Sequence, residues 1–220
     1  MNIVEARRVT KNYTIADREI SVLDDVSLAV SENEFLVVEG SSGSGKTTLL
    51  SLLSGLDKPT SGRVYLEGDD ITDTSEDDLA QLRKNMIGFV FQSFHLVPSL
   101  TALENVMFPA ELKRDSAARE KAQSLLRRVG LQQRGDNFPH QLSGGEMQRV
   151  AMCRALINNP KIIFADEPTG NLDSENGSAI LELLLEFRKE RRTTLVLVTH
   201  SLDIAKMADR IIVLQDGRII

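Results

Sequence analysis

The sequence predicts an α/β fold with a mainly parallel sheet that helices cover on both faces. Short apolar runs alternate with helical patterns in the second half of the chain, and an early glycine-rich turn joins an apolar run to a helix. A helical stretch at about residues 93–150 interrupts this alternation. With 220 residues, the chain is long enough to bury a substantial core in one large domain.

The individual elements follow from apolar periodicity and from the polar, glycine or proline residues between the periodic segments. Polar breaks at Asp17, Asp24 and Asp25 are expected to separate the first strands. Strands are predicted at residues 3–6, 20–23, 26–30, 35–39, 63–66, 87–91, 162–165, 194–199 and 210–214. Helices are predicted at residues 77–83, 101–130 with a break near Pro109, 143–157, 174–191 and 201–208.

Composition and charge narrow the function classes. The formal net charge is −6, so no overall cationic field favours nucleic acid or anionic lipid. The lone cysteine, Cys153, has no internal disulfide partner, which suits a reducing compartment. We expect neither a signal peptide nor a membrane span, because no apolar run approaches the ~20 residues that cross a bilayer. A function at a membrane would therefore need a partner that holds the protein there.

A glycine-rich stretch after the apolar run 35–38 is the strongest functional feature of the sequence. It consists of Gly40, Ser41, Ser42, Gly43, Ser44, Gly45, Lys46 and Thr47, and Thr48 follows it. This spacing is the phosphate-binding P-loop pattern, in which backbone N–H groups and a helix start point at a polyphosphate. We expect Lys46 to contact the β and γ phosphates and Thr47 to offer a hydroxyl to Mg²⁺. The alternative is an ordinary Gly/Ser turn, but the flanks and the spacing together favour the P-loop.

The apolar run 162–165 leads into two carboxylates, Asp166 and Glu167. A buried parallel strand that ends in Asp places the carboxylate at the carboxyl edge of the sheet, where ligands bind. We therefore predict that Asp166 holds Mg²⁺ through its water shell and that Glu167 is the general base. Pro168 favours an extended backbone at Glu167. Alone, such a pair is as consistent with a charged sheet edge as with a catalyst, and the upstream P-loop favours the catalyst.

A second glycine-containing segment precedes the helical pattern that starts near residue 143. Leu142 and Ser143 lead into Gly144, Gly145 and Glu146. Ser143 is predicted to cap the helix with Glu146 at capping-box spacing, and the glycines leave N–H groups accessible to an anion. A simple capped helix start explains this geometry by itself. One nucleotide has only one γ phosphate, however, so a second phosphate-binding helix start makes sense if it faces a nucleotide held by another subunit.

Taken together, the motifs resemble those of ATP-binding cassette (ABC) ATPases, in which the segment 142–146 is the most specific match. The matching segments, in the family's order, are Tyr13 (the aromatic residue that stacks on adenine), 40–47 (Walker A), Gln92 (Q-loop), 142–146 (signature motif), 162–166 (Walker B), 171–173 (D-loop) and His200 (switch histidine). They run from Tyr13 to His200, so the resemblance covers essentially the whole chain.

The resemblance implies a P-loop (RecA-like) core with an N-terminal antiparallel β part at residues 1–92 and 151–220, and a helical subdomain at about 93–150. Residues 1–220 would form a single ABC-type ATP-binding domain. The implied cofactors are ATP and Mg²⁺. Two copies are expected to bind two MgATP molecules head to tail, each between residues 40–48 of one copy and residues 143–146 of the other.

Further residue roles follow from the resemblance. His200 is expected to contact the γ phosphate and to help position water, and Gln92 to sense Mg²⁺ or water and report to the helical insert. Asp173 is expected to act across the dimer, and Tyr13 to stack on adenine. Three of these residues have a plainer interpretation as well: His200 as a structural histidine, Gln92 as a polar strand end and Tyr13 as an aromatic residue on a β surface.

Segments 88–92, 100–106 and 165–173 are most similar to a subgroup that contains the lipoprotein-releasing ATPase LolD, the macrolide exporter MacB and the YbbA-type ATPases. This implies a bacterial cytoplasmic ATPase that dimerises on ATP and drives an FtsX-like integral membrane permease from the inner face of the cell membrane. The sequence departs from the pattern at Glu146, where many relatives carry Gln, and at Met152 and Cys153, where small residues are usual.

Two other function classes remain open. A soluble ABC ATPase of DNA repair or translation typically carries a long coiled-coil insert or two cassettes in one chain, whereas this insert is short and the cassette single. A P-loop kinase would have no role for residues 142–146. With its acidic net charge, the chain is not expected to bind nucleic acid.

Overall fold

The computed structural model describes residues 1–16 and 18–220, so Asp17, one of the predicted polar breaks, lies outside the described residues. The strands are β1 (Asn2–Ile15), β2 (Arg18–Ser31), β3 (Phe35–Glu39), β4 (Ser61–Leu66), β5 (Asp69–Asp70), β6 (Ile87–Phe91), β7 (Ile162–Asp166), β8 (Thr194–Thr199), β9 (Arg210–Gln215) and β10 (Arg218–Ile219). The helices are α1 (Lys46–Leu53), α2 (Glu76–Met86), α3 (Ala102–Glu111), α4 (Ala118–Arg128), α5 (Gly144–Leu156), α6 (Ser174–Arg191) and α7 (Leu202–Ala205), with 3₁₀ turns at Gln132–Arg134 and Pro139–Gln141.

The described residues form two compact units. Unit 1 comprises Met1–Arg83 and Thr194–Ile220, and unit 2 comprises Lys84–Thr193. The α/β class is confirmed, with an antiparallel N-terminal sheet and parallel strands. The predicted boundaries of the helical subdomain, about 93–150, stay a prediction. No helix in the described part of the chain is long and apolar enough to span a bilayer.

Unit 1 carries an antiparallel sheet in the order β2-β1-β4-β5. The first two strands have 14 residues each and are much longer than the apolar runs predict. The predicted break at Asp24 and Asp25 is wrong, because β2 continues through both residues as a bulge. Val9 pairs with Val26, and the next pair along is Lys11 with Leu23. Between these two pairs β2 has one residue more than β1, and Asp25 accommodates this bulge with a left-handed φ of 52°.

Unit 1 also holds parallel strands, as predicted. β3 pairs in parallel with β8 and with β9, and β10 pairs antiparallel with β9. Residues 35–38 of β3 are at most 1% exposed, and all six residues of β8 are buried. Strands buried on both faces are expected where helices cover a parallel sheet. The chain leaves the carboxyl end of β3 directly into the P-loop.

Unit 2 pairs β6 and β7 in parallel, with Ile87 opposite Ile162 and Phe91 opposite Asp166. This register brings the carboxyl ends of the two strands side by side. Helix α5 packs tightly on β6, because a Cβ at Gly88 would lie 2.5 Å from the backbone oxygen of Ala155. Residues 162–165 are fully buried. The predicted break near Pro109 is close to the end of α3, which continues to Glu111.

Candidate functional site

The P-loop of unit 1 leads into helix α1. Among the described residues, no side chain caps the N-terminus of this helix. Helices α3, α5 and α6 differ, because Thr101, Ser143 and Asp173 each accept a backbone N–H at their starts. The N-cap of α1 is Gly45, with a φ of 101° that favours glycine. A helix start of this kind is suited to an anion that does not belong to the chain.

Lys46 lies within its own loop. Its side chain is buried, and Nζ donates to the backbone oxygens of Gly40 at 2.9 Å and Ser41 at 2.8 Å. These carbonyls hold the ammonium group inside the loop. The hydroxyl of Ser44 is also buried, and it has no hydrogen-bond partner among the described residues.

Two glycines fix the path of this loop by close packing. A Cβ at Gly40 would lie 2.6 Å from Ser44 Oγ and would clash with the backbone oxygen of Leu214 in β9. A Cβ at Gly45 would lie 2.8 Å from the backbone oxygen of Val22 in β2. Any larger residue at either position would push the loop away from both strands, so the P-loop shape depends on these contacts.

Tyr13 projects from β1 and is 37% exposed. Its hydroxyl donates to Asp57 Oδ2 at 2.8 Å, and Lys11 Nζ donates to Asp57 Oδ1 at 2.7 Å. Lys11 Nζ also lies 4.7 Å from the centre of the Tyr13 ring. Burial, followed by the hydrogen bond to Asp57, raises the pKa of Tyr13. Asp57 and Lys11 therefore hold a ring that stays partly exposed.

Asp57 keeps its charge in this cluster. Burial raises the pKa of Asp57, but hydrogen bonds from Lys11, Tyr13 and the Lys58 N–H outweigh burial, so the pKa lies below its ordinary value. The sequence reasoning missed both Lys11 and Asp57. Lys11 is two residues before Tyr13 on a strand, so the sequence places the two side chains on the same face and could have predicted their contact. Asp57 lies in the loop after α1, far along the chain from β1. No local sequence pattern indicates that it contacts Lys11 and Tyr13.

His200 lies directly after β8 in unit 1 and is exposed. The preceding residue, Thr199, is buried, and its hydroxyl accepts the Ser201 N–H at 3.0 Å. The imidazole therefore follows the carboxyl end of a parallel strand, which is where the ligand sites of α/β sheets are found.

Asp166 and Glu167 lie at the carboxyl end of β7 in unit 2, as predicted from the apolar run. The prediction of an extended backbone at Glu167 is wrong. Its φ is 44°, in the left-handed region, and its backbone oxygen accepts the Gly170 N–H at 3.0 Å. The tight turn that this bond closes overrides the local preference set by Pro168.

Gln92 follows β6 and lies against this turn. A Cβ at Gly170 would be 2.8 Å from Gln92 Nε2 and 3.3 Å from Glu167 Oε2, so both side chains face the same glycine. Gln92 Nε2 donates to Asn171 Oδ1 at 3.2 Å, and Asn171 Nδ2 donates to the Gln92 backbone oxygen at 2.9 Å. The structure thus brings the predicted sensor close to the predicted base. The sequence reasoning gave Asn171 no individual role.

The start of α5 has the predicted capping box. Ser143 Oγ accepts the Glu146 N–H at 3.3 Å, and Glu146 Oε2 accepts the Ser143 N–H at 2.8 Å. The second carboxylate oxygen, Oε1, accepts from Arg134 Nε at 3.0 Å. The backbone hydrogen bond from Ser143, which outweighs the effect of burial, lowers the pKa of Glu146, and Arg134 lowers it further. Arg134 is a residue that the sequence reasoning missed.

Asp173 caps α6. Its Oδ1 accepts the Asn176 N–H at 2.9 Å, and its Oδ2 accepts from Asn176 Nδ2 at 2.7 Å. The same Asn176 approaches the start of α5, because a Cβ at Gly145 would lie 3.0 Å from Asn176 Oδ1. Gly145 therefore permits close packing of α5 on α6, and the proposed roles of Gly145 and Asp173 in nucleotide binding stay predictions.

The described residues hold no group of three or more His, Cys, Asp or Glu side chains arranged to bind a metal ion. The residues predicted for Mg²⁺ are Thr47, Gln92 and Asp166, and they offer a hydroxyl, an amide and a carboxylate. Oxygen donors of this kind suit Mg²⁺, which commonly keeps several waters and binds through one or two carboxylates together with substrate phosphates. The donor set therefore fits an ion that arrives with a nucleotide.

A P-loop on a parallel sheet, with an acidic strand end and a separate capped helix start, defines a nucleotide-binding P-loop protein. The family model described as ABC transporter matches residues 23–170, which is more than half of the chain. The chain belongs to the ABC transporter family and is an ABC ATPase.

Individual relatives agree with this assignment. The ABC transporter ATP-binding protein MJ1508 of Methanocaldococcus jannaschii is 48% identical over 99% of this chain and 98% of its own length. The ATP-binding protein YbbA of Escherichia coli K12 is 47% identical over 99% and 96%. The macrolide export ATP-binding/permease protein MacB of Syntrophobacter fumaroxidans is 46% identical over 99% of this chain, which spans only 31% of that relative.

A solved structure matches the fold closely. The ATP-binding cassette MJ0796 of Methanocaldococcus jannaschii, a dimer in a post-hydrolysis state with bound ADP and Pi, is 44% identical. The match has a TM-score of 0.92 and covers 98% of this chain and 96% of the other. The predicted LolD/MacB/YbbA-type resemblance is therefore confirmed at the level of named relatives.

Proposed function

We propose that two copies of this chain close head to tail around two MgATP molecules and thereby drive an FtsX-like membrane permease. The observation that carries the proposal is the presence in one chain of two separate glycine-containing helix starts, the uncapped start of α1 at Gly45 and the capped start of α5 at Ser143. A homologue of the same fold is dimeric with ADP and Pi, which supports the dimer. Moving such an equilibrium from mostly open to mostly closed takes ~5.5 kcal/mol of preferential ATP binding to the closed state.

In this proposal, unit 1 binds the nucleotide. The P-loop, residues 40–48, wraps the phosphates, and Lys46 turns its ammonium group from the carbonyls of Gly40 and Ser41 to phosphate oxygens. The partly exposed ring of Tyr13 stacks on the adenine. Thr47, Asp166 and Gln92 would hold Mg²⁺ with a hydroxyl, a carboxylate and an amide oxygen, and the ion would supply charge neutralisation at the phosphates.

Hydrolysis is assigned to Glu167, with help from Gln92 and His200. The Glu167 carboxylate accepts a proton from a water that attacks the γ phosphate. Gln92 lies against the same glycine as Glu167 and orients that water, while His200 donates a hydrogen bond to the γ phosphate. The second copy closes the site with residues 143–146 and Asp173.

A groove of about 370 Å³ in unit 2 supports the permease as partner. Its walls come from β6, α3, α5 and the segment after β6, and they are mainly apolar. They include Ile87, Phe89, Phe91, Pro109 and Leu112. Leu112 is 57% exposed. We infer that a short amphipathic segment of the permease occupies this groove, because its walls are mainly apolar and because relatives named for both ATP binding and permease are about three times as long as this chain.

The groove has a direct connection to the Q-loop. Arg154, on the groove wall, donates to the backbone oxygens of Phe94 at 2.8 Å and His95 at 2.5 Å. Both carbonyls belong to residues with a left-handed backbone, at φ 59° and 49°. A segment docked in the groove would therefore press on the residues that follow Gln92. The proposed location is the cytoplasmic, inner face of the cell membrane, where the permease would hold the protein.

Co-purification with a permease tests the partner. The chain is co-expressed with an FtsX-like permease of the same genome, and the complex is extracted in detergent. We expect Leu112→Glu to lower the captured permease and its stimulation of hydrolysis at least about fivefold, since it places a charge in an apolar contact. Met207→Glu, at a residue of unit 1 that is 49% exposed, is the matched control and should behave as the unaltered chain. Equal capture by both variants would contradict the docking site.

Ultracentrifugation tests the shared nucleotide site. We expect the Glu167→Gln variant to dimerise with ATP and not with ADP, because the closed state then persists. Adding Ser143→Arg places a bulky cation at the start of α5 and should abolish the dimer. Undiminished ATP-dependent dimerisation of the double variant would contradict a site shared between two copies.

A further inference from the structure

The start of α5 carries a negative charge in the segment that the proposed function assigns to the ATP of a second copy. Glu146 is held there by its capping bond to the Ser143 N–H and is 17% exposed in its side chain. Its pKa is lowered, so the carboxylate is ionised at neutral pH. Like charges repel one another, and the repulsion is stronger at the surface of a protein than in bulk water because the effective dielectric constant is lower there. An uncompensated carboxylate would therefore oppose the approach of a polyphosphate.

Arg134 compensates the negative charge of Glu146. It lies in the 3₁₀ turn Gln132–Arg134, whose backbone is held in place by hydrogen bonds. Its side chain reaches Glu146 Oε1, while its backbone is fixed by hydrogen bonds at 2.9 Å to the Leu131 oxygen and at 3.1 Å from the Asn137 N–H. Leu131 is 1% exposed, so the turn is tied to the core of unit 2. The two carboxylate oxygens of Glu146 are thus divided between a backbone N–H and a guanidinium group.

We infer that Arg134 is a positioning residue for the ATP-bound dimer: it neutralises Glu146 and keeps its carboxylate turned to the Ser143 N–H, so that the start of α5 can receive the phosphates of a nucleotide held by a second copy. This inference rests on the proposed function. It also explains how this chain can carry an acid at position 146. A Gln at this position would make the same capping bond without the charge.

A double-mutant cycle at Arg134 and Glu146 tests the inference. All proteins carry Glu167→Gln, and the dimer dissociation constant in ATP is measured by sedimentation equilibrium. We expect Arg134→Gln to weaken the dimer about tenfold in the Glu146 background, from like-charge repulsion at two symmetric sites. In the E146Q background the same change should cost less than about twofold, because no charge is left to neutralise. The loss should also shrink at high salt.

Several outcomes separate the explanations. If Arg134→Gln weakens the dimer equally in both backgrounds, Arg134 contacts the nucleotide or the second copy directly and the inference is overturned. If it has no effect while the parent dimerises, only the inference fails. If the parent itself does not dimerise in ATP, the proposed function fails and the inference fails with it. Thermal unfolding of each variant shows whether a weaker dimer results from loss of folding.

Discussion

Gln92 and Asn171 are joined by two hydrogen bonds, one from the Gln92 side-chain amide to Asn171 Oδ1 and one from Asn171 Nδ2 to the backbone oxygen of Gln92. The pair ties the segment after β6 to the turn after β7 within unit 2. The same turn contains Glu167. A movement of Gln92 would therefore displace the turn and change the position of the proposed base. Asn171 is therefore suited to keep the sensor and the base in a fixed relation.

Replacing Asn171 with Ala should lower kcat for ATP hydrolysis and leave KM nearly unchanged. The variant loses two hydrogen bonds worth ~1 kcal/mol each, so we expect a decrease of about fivefold to thirtyfold. Steady-state kinetics over a range of ATP concentrations measures both constants. Asn85→Ala, at an exposed position of α2, is the control and should keep both values. A rise in KM without a change in kcat would contradict the role assigned to Asn171.

Replacing Glu167 with Gln should slow hydrolysis by ~10²- to 10⁴-fold, the range for loss of a general base, while ATP still binds. The amide keeps the shape of the side chain but accepts no proton. Single-turnover hydrolysis and equilibrium ATP binding separate the two effects. Glu182→Gln, an exposed residue of α6, should leave both unchanged. Normal turnover of the Glu167 variant would rule out the base assignment.

Replacing Tyr13 with Ala should weaken ATP binding by about tenfold or more, because stacking on a base is worth ~1–3 kcal/mol. Tyr13→Phe keeps the ring and loses only the hydrogen bond to Asp57, so its effect should be smaller. Tripolyphosphate, which has no base, should bind all three proteins alike. Isothermal titration calorimetry gives these affinities. Equal losses for ATP and tripolyphosphate would show that Tyr13 supports the loop and does not stack.

Cys153 makes folding stability sensitive to alkaline pH. The residue is fully buried in α5, and burial raises the pKa of its thiol from 9.0 to about 12. The unfolded chain therefore loses this proton at lower pH than the folded chain. The contribution of the Cys153 thiol to the free energy of unfolding is fully present below pH 9 and falls as the pH rises from 9 towards 12.

Urea unfolding at several alkaline pH values measures this dependence. Cys153→Ala should make the fall in the free energy of unfolding above pH 9 less steep, since this ionising group is then absent. A thiol reagent should react with the native chain at neutral pH only through unfolding, because a buried neutral thiol is a poor nucleophile. Rapid labelling of the native protein would contradict the burial of Cys153.

Local sequence signals predicted the features that depend on residues close together in the chain. The capping box at Ser143 and Glu146 is encoded by residues three positions apart, and it forms as expected. The strands β3, β6 and β8 have the predicted bounds, because apolar runs of this kind leave little ambiguity. The P-loop is also encoded locally, because the glycines that its backbone needs lie within the motif itself.

Contacts between distant residues were not predicted. Asp57 meets Tyr13 across 44 positions, and Arg134 meets Glu146 across 12. Neither pair has a periodic pattern that marks it. The length of β1 and β2 depends on bulges that strand pairing imposes, and the left-handed backbone of Glu167 depends on a turn that overrides the local effect of Pro168. In each case tertiary contacts decide the outcome.

The most direct test of the head-to-tail site mixes two inactive proteins. Lys46→Ala removes the phosphate-binding cation from one protein, and Ser143→Arg blocks the start of α5 in the other. Each variant alone should hydrolyse ATP at a few per cent of the normal rate or less. In the mixture, the P-loop of the Ser143 variant meets the intact α5 start of the Lys46 variant, and one complete site per mixed dimer results. We predict clear recovery of hydrolysis on mixing; a mixture no faster than the sum of its parts would contradict a site built from two copies.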